Sequence, residues 1–342
     1  MIKSKIILLA TTFACTYSFA SSDLVKKVNE AGIKPIPASK TELMKLIDDP
    51  KDPITEAKVE LGKKLFFDPR LSRSGIISCN TCHNLAMGGD DGIPAAIGHK
   101  WVANPHHLNS PTVYNSVFYA AQFWDGRSPH LTDQAQGPIQ AVPEMAAPKN
   151  LVKERITSIP AYVEEFKVAY GDDVKITFEQ IASAIATFEK TLVTPSKFDD
   201  FLNGNKDALN KAEKKGLNTF IDKGCASCHN GVAFGGTMQP FELAAKYKFA
   251  NIGDFKGDDK GMIKTPTLRN ITETKPYFHN GAIWELTDAI KEMGSVQLGI
   301  KISDKEAKEI ETFLKALKGR KPALIYPQLP EESSTTPKPT FD

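Results

Sequence analysis

The pattern Cys-x-x-Cys-His occurs twice in this sequence, as Cys79-Asn80-Thr81-Cys82-His83 and as Cys225-Ala226-Ser227-Cys228-His229. It is the attachment signature of c-type haem. Two thiols at this spacing form thioethers to the two vinyl groups of the macrocycle, and the adjoining histidine is held under the iron as an axial ligand. One copy alone is compatible with a disulfide or with half of a zinc site. Two copies, each with its histidine, argue against both. A zinc ion would have to gather cysteines far apart in the chain and leave both histidines idle, and no βαβ pattern supports a thioredoxin-like pair. A chain committed to two covalent haems has to fold around each of them.

The fifth cysteine, Cys15, falls in the opening segment. Met1 to Lys5 is a short basic start, Ile6 to Phe19 is largely apolar, and Ser18-Phe19-Ala20 offers small residues where a signal peptidase reads. The sequence predicts a cleaved export signal over residues 1–20. Thr11, Thr12, Thr16 and Ser18 interrupt a run already short of the roughly 20 apolar residues that span a bilayer. No later run is long and apolar enough, so the mature chain is expected to be soluble, outside the cytoplasm and without a membrane span. The 43 Lys+Arg and 41 Asp+Glu nearly balance, and the excess of two is Lys3 and Lys5 of the export segment. This balance argues against a nucleic-acid partner, which calls for a concentrated basic patch. A content of 41% hydrophobic residues excludes a disordered chain.

A repeated unit surrounds the two motifs. Ala57 to Phe67 reads as a helix with Leu61 and Leu65 on one face, and Ala208 to Asp222 reads likewise with Leu209, Leu217, Phe220 and Ile221. Each leads into a haem motif. Phe178, Ile181, Ile185, Phe188 and Leu192 recur at helical spacing and close the first unit, after which Thr194-Pro195-Ser196 marks a boundary. Ala307, Ile310, Phe313, Leu314 and Leu317 form the last helix. Strand patterning is nearly absent. The expected fold is mostly α: two cytochrome c-like haem domains with long loops, one over residues 21–193 and one over 194–320. Residues 321–342 are expected to return to the first domain and end in a disordered, Pro-rich tail from Pro330.

The second axial ligand decides what each haem does, since His/Met ligation raises the reduction potential and an exchangeable sixth position allows chemistry. For the second haem the candidates are Met238, Met262, Met293 and His279. Met293 is favoured because it sits just before the terminal helix. For the first haem Met87, His99, His106, His107 and His130 compete, and spacing does not choose among them.

The run Phe123-Trp124-Asp125-Gly126-Arg127, the paired haem motifs, Ile97-Gly98-His99 and Tyr277-Phe278-His279-Asn280-Gly281 together resemble the bacterial dihaem cytochrome c peroxidases, in order and over nearly the whole mature chain. The resemblance implies reduction of hydrogen peroxide to water in the periplasm, with electrons from a small c-type cytochrome or similar soluble donor. It implies a peroxidatic, low-potential haem held by Cys79, Cys82 and His83, and a high-potential haem held by Cys225, Cys228, His229 and Met293. His99 matches the histidine that caps the peroxidatic iron and leaves on activation, across a Gly-rich segment that can act as a hinge. Glu144 and Gln134 match the polar pair on the peroxide side, Glu144 as proton shuttle and Gln134 as orienting group. Trp124 matches a tryptophan between the two haems. One Ca²⁺ is implied at Asn109, Thr274 and Pro276, and a homodimer is the family's common assembly. Two other readings stay open: a dihaem electron carrier without catalysis, which would have no use for Gln134 and Glu144, and a dihaem enzyme that oxidises a partner protein, in which tyrosine replaces the methionine ligand.

Overall fold

Local capping chemistry sets where the helices begin. Thr55 accepts from the backbone N–H of Lys58, Thr177 from that of Gln180, and Asn210 and Glu213 cap each other reciprocally, as do Ser303 and Glu306. The computed structural model describes residues 23–342; the expected export signal and Cys15 lie outside the described residues. The described helices are α1 (23–30), α2 (Lys40–Ile47), α3 (Glu56–Phe67), the single turn α4 (Cys79–Cys82), α5 (Leu131–Gln140), α6 (Lys149–Thr157), α7 (Pro160–Tyr170) and α8 (Phe178–Lys190). They continue as α9 (Lys197–Leu202), α10 (Lys211–Asp222), α11 (Leu286–Leu298) and α12 (Asp304–Leu314). A two-stranded antiparallel ribbon, β1 (Met238–Pro240) with β2 (Met262–Lys264), pairs Met238 with Lys264. The predicted mostly α architecture is the observed one.

Two apolar cores form, and each has a helix crossing at its centre. In the first, Leu61, Leu65 and Phe66 of α3 pack on Ile181, Ile185 and Phe188 of α8. In the second, Leu217 and Phe220 of α10 pack on Ile310 and Phe313 of α12. Both crossings depend on a glycine. A Cβ on Gly62 would lie 1.9 Å from the Ala184 carbonyl oxygen, and one on Gly216 would lie 2.0 Å from that of Glu309. The helix leading into each haem motif therefore touches the closing helix of its unit backbone to backbone.

The repeat extends beyond the helices. Asn109-Ser-Pro-Thr-Val-Tyr-Asn115 and Lys264-Thr-Pro-Thr-Leu-Arg-Asn270 fold alike. Thr112 and Thr267 each donate a hydroxyl hydrogen bond of 2.6 Å to a loop carbonyl, and Asn115 and Asn270 are both left-handed, with φ of 63° and 59°. Both asparagine amides donate to the same hydroxyl, Thr194 Oγ1, at 2.8 and 2.9 Å. Thr194, in the Thr-Pro-Ser boundary, thus ties the two halves together.

Sequence order does not decide the position of either end. Leu24, Val28 and Ile33 pack into the second core, although their place in the chain puts them with the first unit. At the other end, Leu324 packs on the first core and Tyr326 meets Phe67 at 5.0 Å between ring centroids. The expectation of a disordered end from Pro330 is corrected. The buried Arg155 donates to Pro337 O and Lys338 O, and the Thr340 N–H donates to Arg73 O. Backbone carbonyls, which composition does not reveal, hold this segment. Among the described residues no helix is long and apolar enough to cross a membrane.

Candidate active site

Each Cys-x-x-Cys-His motif lines its own cavity, of about 1260 Å³ for the first and about 1280 Å³ for the second. The two cysteine pairs therefore do not converge on one ion. Burial pushes the Cys82 thiol up to about 12 and the Cys225 thiol up to about 11. Each histidine is fixed through its Nδ1, His83 by Pro111 O at 3.0 Å and His229 by Phe234 O at 3.1 Å. Burial lowers the pKa of both rings, so each is neutral with its Nε2 free for a metal, as an iron ligand requires. Two thioether-bound haems fit these residues.

The cavities differ in what faces them. Arg127, Gln134, Glu144 and Glu189 line the first, with His83 opposite a mainly apolar remainder. Burial pushes the Glu144 carboxyl up, with Arg127 and then His106 opposing. The second is lined almost wholly by apolar side chains, with Met293 of α11 in the same cavity as His229. Of the other candidates for that haem, Met238 and Met262 line neither cavity, whereas His279 lines a smaller adjoining cavity together with Cys228, His229 and Met293. Met238 packs on Gly126, Met262 sits on β2 opposite Pro240, and His279 is 6% exposed within a ring of Trp124, Phe241, Tyr247 and Phe255.

His99 is 3% exposed but outside the lining of the first cavity. Its N–H donates to Glu144 O at 2.7 Å and its Nδ1 has no partner. The preceding Gly98 presses on the Pro143 carbonyl, where a Cβ would come within 2.1 Å. The loop carrying His99 and the loop carrying Glu144 are thus joined backbone to backbone.

Seven residues line both cavities: Asn109, Ser110, Pro111, Thr112, Tyr119, Trp124 and Lys264. They form a shared wall. Phe123 and Phe278 hold left-handed backbones, φ 67° and 71°, and the residues that follow them, Trp124 of this wall and His279 behind it, bring their rings to 6.4 Å of each other. Trp124 Nε1 donates to Asn109 O at 2.9 Å. The amide of Asn109 donates to Pro276 O at 2.9 Å, and Asn109, Thr274 and Pro276 all line the second cavity. Two carboxylates stand close by. Asp91 accepts from Ser110 Oγ at 2.9 Å, and buried Asp90 has an Oδ1 without a partner, with burial and then the charge of Asp91 pushing it up to about 7. Oxygen donors with unneutralised acid beside them fit a hard divalent cation.

Over residues 56–207 the sequence matches the di-haem cytochrome c peroxidase family, and over residues 213–318 the cytochrome c family. The cytochrome c551 peroxidase of Pseudomonas aeruginosa is 45% identical over 333 residues, covering 94% of each chain. The chain belongs to the di-haem cytochrome c peroxidase family. A second member, the cytochrome c551 peroxidase of Nitrosomonas europaea, is 47% identical over 82% of this chain and 85% of its own. Among solved structures, a MauG-like protein associated with microbial copper homeostasis superposes with a TM-score of 0.69 at 25% identity, over 80% of this chain and 92% of that one. Membership brings two haem c groups, in agreement with the two cavities.

Sequence reasoning missed Glu189 and Lys264. Glu189 lies inside the α8 periodicity and read as a helix residue; its Oε2 is buried without a partner, and burial pushes it up to about 8. Lys264 had one available signal, its alignment with Asn109 when the two halves are laid over each other.

Proposed function

We propose that this chain is a periplasmic cytochrome c peroxidase that reduces hydrogen peroxide with electrons from a small soluble donor such as a c-type cytochrome. Two electrons and two protons enter, the O–O bond breaks, and two water molecules leave. The observation that carries this reading is the inequality of the two cavities. Polar side chains able to handle a proton face His83 in the first, whereas the second pairs His229 with Met293 in apolar surroundings suited to electron transfer. A carrier without catalysis has no need of that polar wall.

Cys79, Cys82 and His83 would hold a haem whose iron would supply the peroxide-binding and electron-transferring chemistry. The chain's own residues do the rest. Glu144 takes the proton of the bound peroxide and returns it to the departing oxygen, a task for which burial makes its carboxylate more basic. Gln134 orients peroxide by hydrogen bonds. Trp124 couples the cavities electronically across the shared wall. His99 would serve as a reversible cap on a haem held there, and because it lies outside the cavity lining, the loop that carries it would have to move to do so. Asn109, Thr274 and Pro276 hold one calcium ion, with Asp90 and Asp91 supplying negative charge, and two copies of the chain assemble as a dimer. Boundaries at 193/194 and 320/321 separate the peroxidatic and electron-receiving units.

Steady-state consumption of peroxide with a reduced c-type cytochrome, before and after one-electron reduction of the enzyme, tests the reading. Absence of turnover in both states would overturn it. E144Q is expected to lower kcat by about 10²–10⁴-fold, and a loss under about tenfold removes the proton-shuttle role. H99G is expected to turn over without pre-reduction; a continued need for it removes the cap. A chelator is expected to lower activity and dimer content together, restored by Ca²⁺.

A further inference from the structure

Among the described residues, Lys264 is the one Lys, Arg, Asp or Glu that lines the second cavity, and it also lines the first. It is 5% exposed, at the end of β2. Its backbone is fixed by donation to Trp124 O at 2.7 Å, and its Nζ stands 4.3 Å from the centroid of the Tyr119 ring. Asp125, the acid that acts on it, is already paired with Arg127 at 2.8 Å. An ammonium so buried and so weakly compensated is costly, and burial pushes its pKa down to about 7. Such a group calls for an anion that the polypeptide itself does not supply.

Position adds a second argument. Lys264 occupies in the second half the place of Asn109 in the first, and the two make reciprocal contacts, Asn109 N–H to His279 O and Lys264 N–H to Trp124 O. The Asn109 side chain leaves the wall toward Pro276. The Lys264 side chain stays in it, between the two cavities.

Each haem c carries two carboxylates. We infer that Lys264 is the counter-charge of the haem carboxylates, shared between the two haems, and that it thereby sets the potential of the haem in the second cavity. This rests on the two-haem reading above. Lys264 is a positioning and tuning residue. A cation beside a haem disfavours the more positive ferric state, so removing it should favour oxidation.

The test is a spectroelectrochemical titration of the holoprotein and its K264R, K264Q and K264M variants, with covalent haem counted per chain by pyridine haemochrome. K264M and K264Q are expected to shift the Met-ligated haem toward the ferric state by about tenfold in its equilibrium constant, which for one electron is about 59 mV. K264R is expected to stay within about threefold of wild type. Equal potentials in K264M and wild type, or the same shift in K264R as in K264M, would overturn the inference. If the neutral variants fail to accumulate with two haems while K264R does, the charge is required and the inference stands; failure of all three would make Lys264 a packing residue. Fewer than two covalent haems in the wild type would overturn the two-haem reading itself.

Discussion

Trp124 and His279 meet edge to face with 6.4 Å between ring centroids, although 155 residues separate them in the chain. They follow the two left-handed phenylalanines of the repeat, so one half contributes an indole and the other an imidazole to a single contact. Only the indole lines both cavities.

Trp124 therefore offers the first prediction. W124A should keep both haems and take up the first donor electron normally, yet slow steady-state turnover by at least about tenfold, roughly 1.4 kcal/mol on the barrier. W124F, which loses the hydrogen bond to Asn109 O and part of the ring, should cost at least about 1 kcal/mol of stability. Stopped-flow reduction of each haem separates the two effects. Unaltered transfer between haems in W124A would assign Trp124 to packing.

The helix crossings should tolerate no side chain. G62A drives a methyl group into the Ala184 carbonyl, and G216A drives one into that of Glu309. Because each clash is with backbone, the helices must separate, at a cost of about 1–3 kcal/mol or more. Denaturant midpoints should fall for both variants. G62A should act on the first core and G216A on the second, which haem absorbance at each site distinguishes.

Removal of residues 327–342 should destabilise the first half. Arg155 would lose Pro337 O and Lys338 O and keep its acceptors at Arg70, Ser72 and Arg73. A buried guanidinium left partly unsatisfied costs about 1–3 kcal/mol. Thermal melting of the truncated holoprotein reads the loss; an unchanged melting temperature would show the tail to be dispensable.

Asp199 and Arg269 form a buried bidentate pair, with oxygen–nitrogen distances of 2.8 and 2.9 Å. Burial acts to raise the Asp199 pKa, but the Arg269 charge and hydrogen bonds, with the Ser196 and Ile36 N–H groups, hold it below the ordinary aspartate value of 3.8. A depressed folded-state pKa gives stability that is fully present above the unfolded value and is lost as pH falls below it. Stability should hold from neutral pH to about 4 and decline beneath that. D199N should cost about 3–5 kcal/mol, since it leaves Arg269 buried without its partner, and should flatten the acid limb of a stability–pH curve.

What could be read in advance was local or covalent. The haem motifs declare themselves because the chemistry fits within five residues. α8 was expected from Phe178 to Leu192 and runs from Phe178 to Lys190, because its 3,4 spacing of apolar residues is sufficient to define a buried face. The helix expected from Ala208 begins at Lys211, one residue after the Asn210 cap. The last helix begins at Asp304 under the Ser303 cap, ahead of the expected Ala307.

The sequence by itself determined that there are two haem-attachment sites, which helices lead into and close each unit, and that the chain is mostly α. The tertiary structure alone decided which side chains share a wall. It brings Asn109 to Pro276, Trp124 to His279 and Lys264 between the cavities, sends residues 24–33 to the second core and holds the tail on the first. These contacts join residues far apart in the chain through backbone carbonyls and buried charge. Neither leaves a periodic trace in composition, because any residue offers the same carbonyl and a lysine in a loop reads as solvent-exposed until a second half closes over it.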